Sequence, residues 1–246
     1  MSENTERMLQ DMVRAAWLLQ SDQPPKRMGV IEIAYLHGLS RGMEESADLF
    51  RLITDYAGKY ACGVSFNGSD GRGMPPQDKP GAAWPGKDWY IEELTAQKLL
   101  GTRLYPTRPG LHTRDEADAF IELSEECGWK SASIFSVGYH SVRSMSCMIA
   151  AMETAGYFMR LHFIVPPTTN AWHPIKGSQG VADTITFEEI EKKEISNVLK
   201  YWERGGADPP NSWRAGYTVP PKYLFHYLQY RDEIVATQKF PLFPLE

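Results

Sequence analysis

Cysteine is scarce in this chain. Cys62, Cys127 and Cys147 are the only three in 246 residues, and no two stand in CxxC spacing. An odd, scattered set excludes a disulfide framework and reads as small core residues in a reducing compartment. Long apolar runs are missing too, since none approaches the roughly 18 residues of a membrane span. Between Met1 and Gln20 the charges of Glu3, Glu6, Arg7, Asp11 and Arg14 break any apolar stretch. That excludes a secretory signal, and a cytoplasmic location with no membrane contact is expected. A basic excess is absent as well. The formal net charge is −5, which excludes a general nucleic-acid binder, because neutralising phosphates takes a basic surface.

The familiar chemical signatures are also missing. Asn67-Gly68-Ser69-Asp70-Gly71-Arg72-Gly73 is glycine-rich but is neither GxGxxG nor a Walker A loop. No HExxH or paired Cys/His spacing is present, so no metal site is predicted. Ser136 lacks the GxSxG elbow of an activated nucleophile.

What is present is the composition of a globular domain, 42% hydrophobic and 23% charged. Strand-like and helix-like stretches alternate. Val30–Leu36 reads as a strand, and Met43, Ala47, Phe50, Ile53 and Ala57 mark an amphipathic helix. Cys62–Phe66 is a second strand. Asn67 to Lys87, with five glycines and four prolines, is a long loop. A helix over Trp89–Leu100 ends at Gly101, and Thr102–Tyr105 is the third strand. Thr113 with Glu116 fits a capping box opening a helix that ends near Gly128. Ser131–Val137, a helix from His140 to Ala155 closed by Gly156, and Phe158–Val165 complete the order.

This alternation predicts an α/β fold, a Rossmann-like three-layer sandwich with a mostly parallel sheet of about five strands. Helices are added at both ends. Met8, Met12, Ala15, Ala16 and Leu19 share a face of a first helix. Thr186–Arg204 reads as a charged helix with a solvated face, and Pro221–Thr237 as an aromatic-rich helix. The expected divisions are residues 1–28 as an N-terminal helical extension, 29–185 as the α/β core, and 186–246 as a C-terminal helical extension.

In such a sheet the turns after the strands line one rim, where ligands bind. The residues there are polar: His37, Gly38, Ser40 and Arg41; Asn67, Gly68, Ser69, Asp70 and Arg72; Thr107, Arg108, His112 and Thr113; Ser136, Gly138, Tyr139, His140 and Arg143; Thr168, Thr169, Asn170 and His173. Thr113 reads as an N-cap beside exposed helix amides, where anions are favoured. His140 and Arg143 share a helical face. An arginine in a first turn opposes the dipole and calls for a partner: Asp115, Glu116 or a ligand anion. His140 is the candidate proton carrier. Gly138 permits close approach of a ligand or serves a tight turn.

Residues from about 29 to 170 resemble the YdcF/SanA/ElyC-type proteins. The family's first strand ends near a glycine, here Gly38. Its second strand ends in Ser-Gly-Gly, where this chain has Phe66-Asn67-Gly68. Its Asn-Thr-x-Glu-Asn helix start corresponds to His112-Thr113-Arg114-Asp115-Glu116, and its Tyr/His turn with a following Arg to Tyr139-His140-Ser141-Val142-Arg143. The resemblance implies a Rossmann-like sheet and, for the cytoplasmic branch, S-adenosylmethionine as ligand.

The expected function is binding of a nucleotide-like or other anionic small molecule at the rim. Gly38, Asn67, Gly68, Thr113, Asp115, Glu116, Gly138, Tyr139 and Arg143 are the candidate ligand residues, and His140 the candidate catalytic one. One alternative is a non-catalytic regulatory or interaction protein, with a partner surface on the aromatic C-terminal helices (Tyr201, Trp202, Trp213, Tyr223, Phe225, Tyr227, Tyr230). Another is a metal-dependent hydrolase using His37, His112, His140, His173 and Asp70.

Overall fold

The computed structural model describes residues 31–37, 46–70, 86–99, 103–164 and 218–240 continuously. It also describes residues 10, 11, 14, 15, 18, 19, 22, 174, 175, 185, 186, 194, 196–198, 207, 208, 211 and 212. Gly38, Ser40, Arg41, the middle of the glycine-rich loop (71–85), Thr168–Asn170 and His173 lie outside the described residues.

Five strands form one parallel sheet: β1 (Ile33–Leu36), β2 (Gly63–Phe66), β3 (Leu104–Pro106), β4 (Ser131–Phe135) and β5 (Arg160–Ile164). Their spatial order is β3-β2-β1-β4-β5. This is the order of a doubly wound sheet, whose direction of winding reverses between β1 and β4. Helices α1 (Ser46–Tyr60) and α2 (Lys87–Ala96) serve the first half. Helices α3 (Thr113–Cys127) and α4 (Ser141–Ala155) serve the second, and α5 (Pro221–Thr237) packs against α4 and β5.

Strand alternation divides the core in two. Ala34, Leu36, Val64, Phe66 and Phe135 face α1 and α2, meeting Leu49, Phe50, Ile53, Tyr90 and Leu94. Ile33, Tyr35, Ala132, Ile134, Leu161 and Phe163 face the other way, toward Phe120, Ile121, Met145, Met148 and Tyr227. Phe50, Ile53 and Ala57 are buried as the helical periodicity predicts, whereas Ala47 is exposed. Of the apolar face expected on the first helix, Ala15 and Leu19 are described and lie in the second cluster.

Local signals set the ends. Gly128 and Gly156 close α3 and α4 in the left-handed conformation, at φ 72° and 68°. Strand β3 lies further along than Thr102–Tyr105 and ends on Pro106. A proline fits there because β3 is an edge strand, where a missing amide breaks no ladder.

The opposite edge is covered by side chains. In β5 the Arg160 amide turns inward to the Lys130 carbonyl, so the groups of residues 159, 161 and 163 turn outward. The Tyr227 hydroxyl donates to the Met159 carbonyl at 2.6 Å and accepts from the Leu161 amide at 2.8 Å. Arg231 donates to the Leu161 carbonyl at 2.6 Å, and the Phe163 amide donates to the Asp22 carboxylate at 2.9 Å. Asp22 and Arg231 are joined by contacts of 2.6 and 3.0 Å.

Candidate functional site

Strand register builds the site. Leu36 pairs with Phe135, Phe66 with Pro106, and Tyr35 with Ser65. Continued past the strand ends, that register sets His37, Asn67, Thr107 and Ser136 in a row across the rim. The ladder continues under them, with the His37 amide bonding Phe135 and the Thr107 amide bonding Phe66, both at 2.9 Å. His37 shares the face of Tyr35, whose hydroxyl donates to the Glu116 carbonyl of α3 at 3.1 Å.

His37 is fully buried. Its Nε2 lies 3.0 Å from the Thr113 carbonyl and 3.5 Å from Glu116 Oε2. A carbonyl only accepts, so Nε2 carries the proton and Nδ1 accepts from the Ser144 hydroxyl. Burial, with His140 and Arg143 nearby, pushes the His37 pKa down to about 3, against the opposing pull of the Thr113 carbonyl. His37 is neutral at pH 7.

Asn67 locks the acidic side. Its Nδ2 donates to Glu116 Oε1 and to the Gly110 carbonyl, each at 2.8 Å. Its Oδ1 accepts from the amides of Ser69 at 3.0 Å and Gly110 at 3.1 Å. These four bonds fix the amide's orientation. Gly110 has no room for a side chain, because a Cβ there would stand 2.7 Å from the Glu116 nitrogen. Gly68 is tighter still: a Cβ would fall 1.7 Å from the Thr107 carbonyl oxygen.

The cap of α3 differs from the capping box read from the sequence. His112 is the N-cap, its Nδ1 accepting from the Asp115 amide at 3.3 Å, and Thr113 is the first helical residue. Asp115 pairs with His112 Nε2 at 3.0 Å on the partly exposed side of the helix. Arg114 turns away from the rim, donating to Asp118, Thr154 and the Ala150 carbonyl to bind α3 to α4.

After β4, a short 3-10 turn (Gly138–His140) leads into α4. No side chain caps α4, and no acidic residue lies in its first turn. Arg143 projects there, 16% exposed, and donates through Nε to Glu194 Oε2 at 2.6 Å. Glu194 is 1% exposed and also lies 3.2 Å from His140 Nδ1. His140 Nδ1 is in reach of both Arg143 and Glu194. Burial and then Arg143 lower the His140 pKa, with Glu194 opposing them. The rings of His37 and His140 meet edge to face at 6.1 Å, at the β1–β4 reversal.

Of the sequence-based candidates, Asn67, Glu116, Thr113 through its carbonyl, His140 and Arg143 come together here. Gly138 opens the 3-10 turn, Gly68 presses on Thr107, Asp115 stays with His112, and Tyr139 packs into the cluster under α1 and α2. Gly38 lies outside the described residues. Two members of the network, Ser144 and Glu194, were not singled out from the sequence, and His37 was named only as a rim residue and in the metal-hydrolase alternative. Ser144 follows His140 by four, one helical turn, and that spacing is its signal. Glu194 stands in the run read as a solvated face, yet it is one of three positions, Ile190, Glu194 and Val198, in steps of four, and Val198 is fully buried.

Ser144, His37 and Glu116 have the composition of a serine–histidine–acid relay. A nucleophile must reach its substrate, and Ser144 has no exposure. The trio instead ties the starts of α3 and α4 to the end of β1.

Among the described residues no group of three or more His, Cys, Asp or Glu is placed to hold a metal ion, and no helix is long and apolar enough to cross a membrane. Comparison with family models, with curated proteins and with solved structures finds no match to this chain.

Proposed function

We propose that this chain binds an anionic, nucleotide-like small molecule at the carboxyl rim of its sheet, at the reversal between β1 and β4. The carrying observation is where the polar groups collect. His37, Ser136, His140, Ser144 and the Arg143–Glu194 pair all gather at that reversal, which is where open α/β sheets take their ligands. The start of α4 supports the anionic preference. Its amides face the rim with no capping side chain and no acid in the first turn, and Arg143 adds a cation. S-adenosylmethionine and a YdcF-type role in the cytoplasm belong to the same reading, on the strength of the Tyr139–Arg143 segment.

A second reading, a non-catalytic sensor using the same crevice, draws on the burial of the reactive groups. Ser144 is closed off, and burial beside His140 and Arg143 keeps His37 neutral. His140 is then the one candidate proton carrier, and a sensor needs none.

The test is thermal unfolding against a panel of S-adenosylmethionine, its by-products, nucleotides and sugar phosphates, with Arg143→Ala as control. A ligand at about 100 times its dissociation constant stabilises by about 2.7 kcal/mol. A shift that disappears in Arg143→Ala supports the proposal, and the absence of any shift across the panel removes it. Retained binding with no turnover in the presence of a hit favours the sensor.

A further inference from the structure

We infer that the crevice is a carboxylate-binding site and that Glu194 is its internal occupant, which a carboxylate-bearing ligand displaces. The inference rests on the reading of this rim as an anion site and names the anion's class.

The position is one that an anion should occupy, and one does. Arg143 Nε and His140 Nδ1, both on residues at the start of α4, converge on Glu194 Oε2, which stands 2.6 Å from the guanidinium and 3.2 Å from the imidazole. A helix start without acid or cap draws negative charge. Here the charge is supplied by a residue 54 positions away from His140, outside both α3 and α4. Its carboxylate is 1% exposed, so the site is closed around a carboxylate rather than open to solvent.

A second observation comes from the sheet. The Ser136 hydroxyl is fully buried and has no hydrogen-bond partner among the described residues. Strand alternation puts it on the side of Ile134, facing α4, and register puts it beside His37, whose ring touches His140. A buried hydroxyl left unpaired is costly. It marks unused polar capacity beside His37 at the same β1–β4 reversal, which a ligand larger than one carboxylate group can take up.

An internal occupant has a definite consequence. Any external carboxylate competes with Glu194 for Arg143, so the ligand's apparent affinity is reduced by the fraction of chains in which Glu194 holds the site. Removing the charge of Glu194 raises affinity for carboxylates, whereas a purely structural Glu194 gives no such gain.

The experiment tracks the Arg143 Nε–H resonance of the full chain by NMR during titration with acetate, and separately with inorganic phosphate, at constant ionic strength. In Glu194→Gln the resonance is expected to shift saturably with acetate at concentrations at least tenfold below any wild-type response. An unchanged or weaker response overturns the inference, and a response to phosphate in preference to acetate overturns the carboxylate class. Should Glu194→Gln fail to fold, Glu194→Asp keeps the charge on a shorter arm. Saturation at lower acetate than wild type then supports displacement, and equal saturation overturns it. The two readings fail separately. Acetate uptake by Glu194→Gln with no hit in the thermal panel removes the nucleotide-like ligand alone. A panel hit whose affinity is unchanged by Glu194→Gln removes the displacement alone.

Discussion

The imidazole of His37 accepts the hydroxyl of Ser144, joining the end of β1 to the first turn of α4 across 107 positions of sequence. The same ring donates at its other nitrogen to the Thr113 carbonyl at the start of α3. One neutral histidine thus fixes two helix starts to one strand end.

That neutrality has a pH signature. His37 titrates at about 3 when folded, against 6.5 for the ordinary side chain. Between those values the unfolded chain takes up a proton that the folded chain refuses. Stability is therefore full above pH 6.5 and falls as pH drops toward 3, by at most about 1.4 kcal/mol per pH unit from this group. Urea unfolding at a series of pH values should show that slope, and His37→Asn should flatten it. Imidazole NMR should find His37 protonated on Nε2 and unchanged from pH 8 to pH 5.

The Arg143–Glu194 pair should be costly to break from one side. Removing one member of a buried pair strands the other charge, at about 3–5 kcal/mol. Arg143 is 16% exposed, so Glu194→Gln should fall near the lower end, about 3 kcal/mol. Replacing both, Arg143→Met with Glu194→Leu, should recover much of that loss in chemical denaturation.

Gly68 and Gly110 should resist even one methyl group. Gly68→Ala directs its Cβ to 1.7 Å from backbone oxygen, and Gly110→Ala to 2.7 Å from backbone nitrogen. Backbone cannot swing aside as a side-chain tip can, so each should cost about 1–3 kcal/mol. Gly110→Ala should also loosen Asn67 and Glu116, seen as faster exchange of the residue 110 amide, which Asn67 holds.

The β5 edge gives a local test. Tyr227→Phe should speed hydrogen exchange at the Leu161 amide and spare Phe163, while Asp22→Ala should do the reverse. Burial pushes the Asp22 carboxyl up, but hydrogen bonds from His162, Arg231 and the Phe163 amide outweigh it, and the net pKa is lowered. The stability Asp22 contributes is therefore present above about 3.8 and lost as pH falls through its lowered folded value. This window lies below most of the His37 slope, so the two separate in one pH series.

The sheet was legible because its signals are local. Alternation, the glycines after α3 and α4, and the proline at 221 each act within a few residues. The rim was legible as a set of residues, since the chain turns directly after each strand. Its wiring was not. Thr113 looked like a cap because Thr-x-x-Glu is a capping pattern, but His112 took the role, leaving Glu116 free to turn inward to Asn67. Arg143 called for an acidic partner, and Asp115 and Glu116 were nearest in the pattern. The partner came from Glu194, whose neighbours in sequence are mostly charged, so that composition masked one inward-facing carboxylate. Contacts of that range depend on how layers stack, which no window of sequence contains.

The bond between Asp22 and Arg231 spans 209 positions, and it shapes how the chain is made as well as how it stands. A ribosome releases β1 to β5 before it releases Tyr227 and Arg231, so the nascent sheet passes through a stage in which its last strand lacks the cover that α5 supplies. During that interval the Leu161 amide and the Met159 and Leu161 carbonyls lack their α5 partners and can pair with a neighbouring strand. Synthesis that pauses between β5 and α5 lengthens the exposure, and truncation ahead of α5 makes it permanent. The late aromatic helix therefore completes a cover that guards the chain against misassembly.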